Sequence, residues 1–273
     1  MDLLKGIRER ITRLNVSMVA AGVAFYAMLA IFPALIAVVA VYALVSDPDQ
    51  VGQQLTPVVR TLPSDVGKLL TDQLHDAVAA NHGGLTVGLV ASLLGTLWAA
   101  SGGVNALTKG LTIILDATPA RSPLRQRAVS VALTLGALVA AAVALALITV
   151  FPVVLGHVGL GRAGRVGAEV LRWLLLLVLV GVALAIVYRI AAGPSSRWRM
   201  VTWGVAVAVV VWIIGSVGFT VYVSNFGRYN KTYGSLGAVV VLLLWLYLSS
   251  FAILLGAVVD AELTKRRIRS LDS

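Results

Sequence analysis

The stretch that most constrains this chain is Tyr233 to Glu262, YGSLGAVVVLLLWLYLSSFAILLGAVVDAE, because no Asp, Glu, Lys, Arg or His occurs between Gly234 and Val259. At about 1.5 Å per helical residue, such a run crosses a hydrocarbon core of about 30 Å with some tilt. Ser235, Gly237, Ser249, Ser250, Ala252 and Gly256 are small, which lets helix backbones approach closely in lipid. Trp245 and Tyr247 sit mid-span, each with one polar atom that needs a partner inside a bundle. Lys265, Arg266, Arg267 and Arg269 follow at once. The pattern is a transmembrane helix with a cytoplasmic anchor.

The rest of the chain has the same character. Of its 273 residues 59% are hydrophobic and 12% charged, about half the charged share of an average soluble domain. The net charge of +10 does not point to nucleic acid, because the basic residues lie in short runs beside apolar spans. There is no Cys, which excludes disulfides, thiol catalysis and thiolate metal sites. The first apolar run, Ala20 to Val45, is far longer than a signal-peptide core, so no cleavable leader is expected.

Read in order, the chain predicts an all-α, polytopic membrane protein with six transmembrane helices, short amphipathic surface helices and both termini cytoplasmic. Residues 1–19 form a basic amphipathic helix with Leu3, Leu4, Ile7, Ile11 and Leu14 on one face, placed in the cytoplasmic headgroup layer. The transmembrane domain covers residues 20–262. Its first span, Ala20 to Val45, contains Pro33, which predicts a kink and a freed carbonyl. An outer helical loop, 47–83, holds most of the acidic residues between spans. The second span, Gly84 to Ala100, repeats small residues at every fourth position (Gly84, Gly88, Ser92, Thr96 and Ala91, Gly95, Ala99, Gly103), which predicts a central, closely packed helix. Ser101, Gly102 and Gly103 are expected to loosen it. Beyond them Val104, Leu107, Leu111, Ile114 and Leu115 form a stripe suited to the cytoplasmic surface. Further spans are expected over 129–155, 170–192 and 200–223, and 263–273 is a basic cytoplasmic tail. With this threading one side carries 15 of the 22 Lys and Arg and the other 7. That excess marks the cytoplasmic side, so both termini are expected inside.

Enzyme signatures are absent: no G-x-S-x-G, P-loop, H-E-x-x-H or paired-carboxylate spacing occurs. All three histidines fall in outer loops, so no catalytic residue, metal site or cofactor is expected. Asp260 and Glu262 read as a solvated helix end beside Lys265 and Arg266. What remains is neutral and polar. The substrate-cavity candidates are Tyr26, Pro33, Trp98, Ser101, Asn105, Tyr222, Asn225, Arg228, Tyr229, Lys231 and Tyr233, framed by the first, second, fifth and last spans. Such a lining suits an amphiphile better than a bare ion. Expected partners are anionic membrane lipids at the basic runs, with a homo-oligomer as a further candidate assembly and no nucleic acid.

Three segments carry a resemblance. GFTVYVSNFGRYNKTYGSLGAVVVLLLWLYLSSFAILLGA (Gly218 to Ala257), GVAFYAMLAIFPALI (Gly22 to Ile36) and TLWAASGGVNAL (Thr96 to Leu107) resemble the YihY/BrkB family of bacterial inner-membrane proteins, in the family's order over residues 15–262. Two departures stand out. Val258 occupies the place after Gly256-Ala257 where the family tends to carry an acid, and its usual Asn and Tyr are not evident around Thr112 to Asp116. The resemblance implies a six-helix envelope protein in which the long-standing ribonuclease label is a misassignment. The expected function is transport of a lipid or amphipathic solute, and the alternative is a non-transporting envelope scaffold.

Overall fold

The structure, a computed structural model, describes residues 3–45, 87–117, 122–157, 161–193, 203–225 and 235–269. Among these residues there are seven helices and no strand: α1 (Leu3–Arg13), α2 (Val16–Val45), α3 (Val87–Ile114), α4 (Pro123–His157), α5 (Arg162–Ala192), α6 (Trp203–Asn225) and α7 (Ser235–Arg269). Five of them, α2 and α4 to α7, hold segments long and apolar enough to cross a membrane. The expected outer helix over 47–83 lies outside the described residues.

The helices from α2 onward alternate in direction, and one end of the bundle, here called the base, gathers α1 and the end of α7. The start of α2, the end of α3, the end of α5, the start of α6 and the end of α7 meet there around Val16, Ala20, Leu111, Ile114, Tyr188, Val205, Leu254 and Val258. The most extensive packing is of α2 on α3, then of α6 and of α2 on α7. Away from the base the large apolar side chains of α4 and α5, such as Val139, Leu145, Val170 and Val178, are exposed. Water would not tolerate so broad an apolar surface, and acyl chains would.

Several expectations need correction. Residues 101–103 do not interrupt the second span: α3 runs through them, and its expected surface stripe instead enters the core, with Leu111 and Ile114 fully buried. The apolar face of α1 also meets the protein: Ile7, Ile11 and Leu14 pack against the core, while Leu4 stays exposed. Asp260 and Glu262 are not a solvated helix end but are 5% and 8% exposed. Within the small-residue rows of α3, Gly95 and Gly103 differ. A Cβ on Gly103 would lie 3.0 Å from Ala27 Cα, whereas one on Gly95 would meet nothing within 4 Å. In α2 the helix continues on both sides of Pro33, whose ring nitrogen cannot donate to the carbonyl of Leu29.

Local chemistry explains the turns at the base. Asn15 and Asp116 take positive φ of 47° and 49°, a conformation that Asn and Asp tolerate better than other side chains. Asp116 thereby ends α3, with Ala117 N donating to Thr112 O at 3.1 Å and closing the last turn. Ser122 begins α4: its Oγ accepts from Arg125 N at 3.4 Å, and Pro123 takes the first helical position, where no N–H is needed.

Candidate functional site

The start of α4 borders a groove of about 360 Å³ between α3 and α4. Trp98, Asn105 and Lys109 line one wall, and Pro123, Leu124, Gln126 and Arg127 the other. Positions 98, 105 and 109 recur on one face of a helix, so α3 presents an aromatic, an amide and a cation in register. Arg127 holds the two walls together. It donates to Trp98 O at 2.6 Å, and its guanidinium carbon stands 4.6 Å from the centre of the Trp98 ring, within cation–π range. Farther along, Ser130 Oγ donates to Asn105 Oδ1 at 3.4 Å. Trp98 remains half exposed.

The electrostatics of this groove have one sign. Lys109 and Arg127 contribute positive charge, Asn105 and Gln126 contribute amides, and none of the described lining residues is acidic. The first turn of α4 adds the partial positive charge of a helix N-terminus. A site with these properties can hold an anionic group while Trp98 and Leu124 contact an apolar body.

Of the residues singled out in the sequence, Trp98, Ser101 and Asn105 come together on α3. Ser101 is fully buried and donates from Oγ to Trp98 O at 2.7 Å, so it supports the groove without lining it. Tyr26 is on α2, half exposed, with its ring edge against Phe25 at 5.7 Å and its carbonyl beside Gly103. Pro33 lies farther along α2. Tyr222 is near the end of α6 remote from the base, stacked on Phe219. Asn225 ends α6, and Arg228, Tyr229, Lys231 and Tyr233 lie outside the described residues. Lys109 and Arg127 had no place in the sequence-derived site, although the spacing of Lys109 from Trp98 and Asn105 was available there.

Two polar nodes at the base were also missed. In the first, Asp260 Oδ1 accepts from Gly204 N at 2.8 Å at the start of α6, while the Tyr188 hydroxyl of α5 donates to Ile253 O of α7. The carboxylate thus caps a neighbouring helix, which accounts for an acid buried in an apolar bundle. In the second, Arg10 of α1 is 8% exposed, and its Nε and one terminal nitrogen donate to Ile114 O at 3.2 and 2.7 Å. That same nitrogen lies 2.6 Å from Asp116 Oδ2. The signal for it was its place on the Ile7, Ile11, Leu14 face.

At the opposite end a second groove of about 460 Å³ follows α5 from Arg165 to Leu177. There Glu169 pairs with Arg172 and accepts from Trp173 Nε1 at 2.9 Å. Between the two ends, Trp212 Nε1 donates to Ser249 Oγ at 3.0 Å and joins α6 to α7. Among the described residues no group of three or more His, Cys, Asp or Glu side chains is placed to hold a metal ion.

The family described as "Virulence factor BrkB" matches residues 7–272. A Bacillus subtilis (strain 168) protein named as the ribonuclease-like protein YfkH is 30% identical over 275 residues, covering 98% of this chain and 97% of its own. A UPF0761 membrane protein of Nitrosospira multiformis is 37% identical over 93 residues, which are 34% of this chain and 22% of that protein. One of Tolumonas auensis is 34% identical over 88 residues, 32% of this chain and 28% of its own. No solved structure matches. With apolar helices of spanning length and a family match over nearly its whole length, the chain is a multi-pass membrane protein and belongs to the BrkB (YihY) family.

Proposed function

We propose that this protein binds an anionic lipid or amphipathic solute in the α3/α4 groove and moves it across the bacterial inner membrane, without enzymatic chemistry. The observation that carries this reading is the groove lining: two cations, two amides and a half-exposed tryptophan, with no acid among the described lining residues. A phosphate or carboxylate headgroup would meet Lys109 and Arg127, and its apolar body would run along Trp98 and Leu124. Lysine and arginine near the membrane surface contribute about 1 kcal/mol each toward anionic lipid.

The test is reconstitution into vesicles with a trace of fluorescent phosphatidylglycerol, read as probe reaching the opposite leaflet. Wild type should exceed an equal mass of an unrelated membrane protein. The double variant Lys109→Gln, Arg127→Gln should lose most of that excess while still folding. Movement no faster than the control would sink the transport reading and favour a scaffold.

The threading proposed with this function has six crossings, α3 included, with the base and both termini in the cytoplasm. It is supported by the alternating helix directions and by the excess of Lys and Arg on the base side. The chain has no Cys, so single cysteines report topology cleanly. At Asp49 and Arg162 an impermeant thiol reagent should label sealed cells, and at Arg125 and Ser270 it should not. Labelling at Arg125 would overturn the threading.

A further inference from the structure

We propose that Arg10 is a positioning residue for the groove: by gripping the end of α3 it fixes where Lys109 stands opposite Arg127. The inference rests on the groove reading above. Arg10 lies on α1, outside the groove, yet is almost fully buried, and a buried guanidinium persists only where its donors are matched. Its described partners all belong to the end of α3: the Ile114 carbonyl and the Asp116 carboxylate. Ile114 O is one of the terminal carbonyls that the helix itself leaves without a donor, and a cation there also opposes the negative end of the helix dipole.

The other end of the grip is fixed. α1 is seated by Ile7, Ile11 and Leu14 in the core, and its Gly6 lies so close on α7 that a Cβ would sit 2.5 Å from Glu262 Oε1. Thr112 Oγ1, donating to Thr108 O at 2.8 Å and facing Ala191 O of α5 at 3.5 Å, gives α3 a second lateral contact, and the exposed Arg13 adds a longer ion pair to Asp116 at 3.8 Å. Lys109 is five residues before Ile114, about 7.5 Å along the axis, so a shift of the helix end is transmitted to it almost undiminished. Binding sites lose function when their support allows displacement of about 1 Å.

The experiment is a calorimetric titration of the detergent-solubilised full chain with dioctanoyl phosphatidylglycerol and, separately, dioctanoyl phosphatidylcholine. The readout is the ratio of the two affinities, alongside the melting temperature. Arg10→Gln should lower the preference for the anionic lipid by about three- to tenfold, the range expected for a residue acting through a neighbour. Arg10→Lys should also lower it, because lysine lacks the planar fork that serves the carbonyl and the carboxylate together. Asp116→Asn, which keeps the Ile114 contact, should lower it by about twofold. A melting temperature that falls while the ratio holds would make Arg10 structural only and overturn the inference. Should Arg10→Gln fail to fold, an unchanged ratio in both Arg10→Lys and Asp116→Asn overturns it equally. Lys109→Gln, Arg127→Gln separates the two ideas. If that variant keeps the full preference, the groove reading fails and the role of Arg10 falls with it. If the preference is lost there but kept in the Arg10 variants, only the positioning role fails.

Discussion

At the base, α6 and α7 approach until Gly204 and Gly256 stand backbone against backbone, and a Cβ on Gly256 would also lie 2.6 Å from the Tyr188 hydroxyl and 2.7 Å from Ala208 Cβ. Toward the opposite end, Gly181 of α5 and Gly218 of α6 have nothing within 4 Å of the same place. Most of the largest fully buried side chains, Val16, Leu111, Ile114, Tyr188, Leu254 and Val258, are at the base, and Ser101 and Ser130 lie beside the groove. Lipid tails are as apolar as leucine, so hydrophobicity alone gives helices no reason to associate. Close backbone approach and polar contacts supply that reason, and here they concentrate at one end: Arg10 on Ile114 O, Tyr188 on Ile253 O and Asp260 on Gly204 N. Away from the base most side chains are ones that lipid accepts, with the Trp212–Ser249 hydrogen bond joining α6 to α7. A base held in this way can support a groove at its edge, while α4 and α5 remain open to the bilayer.

The sharpest test of this division is Gly256→Leu against Gly181→Leu. At Gly256 the new side chain meets a backbone carbonyl of α6, which cannot swing aside as a long side chain would, so the helices must separate. The expected cost is about 3 kcal/mol or more, at the upper end of overpacking, with most of the protein lost from the monodisperse fraction. Gly181→Leu is expected to stay within about 0.5 kcal/mol of wild type, as an outward substitution should. Equal tolerance of the two would remove the base as the seat of stability.

The same division shows what was legible in the sequence. The spans were readable because each needs only an uninterrupted apolar run, and α4 to α7 fall close to where hydropathy put them. Which residues of a span touch protein rather than lipid was not readable, because both environments accept Ala, Val, Leu and Gly. Small-residue spacing therefore marked Gly95 and Gly103 alike, although only Gly103 meets α2. Charge was misread for the opposite reason. Position near a helix end suggested solvent for Asp260 and Glu262, but the base lies where several helix ends meet and leaves terminal donors and carbonyls to be matched. Trp98 and Asn105 were recognised as cavity candidates, one within the second span and one just beyond it. Lys109 and Arg127 were counted only as topology signals, and their place in the groove depended on how α4 packs against α3.

A smaller effect separates two positions of a single helix. Gly103→Leu puts its Cβ 3.0 Å from Ala27 Cα and 3.2 Å from Ala30 Cβ, close enough that α2 must give by a few tenths of an ångström. Its neighbours include the α2 backbone but, unlike those of Gly256, no backbone atom close enough to overlap outright, so a cost of about 1–3 kcal/mol is expected. Gly95→Leu adds the same volume eight residues earlier into open space, and leucine has a higher helix propensity than glycine by almost 1 kcal/mol. Thermal melting in one detergent should therefore show Gly103→Leu lowered and Gly95→Leu equal to or slightly above wild type. A drop at Gly95 as large as that at Gly103 would mean that α3 is gripped along its whole length. The contrast between the base and the rest of the bundle would then fail within the helix that carries the groove.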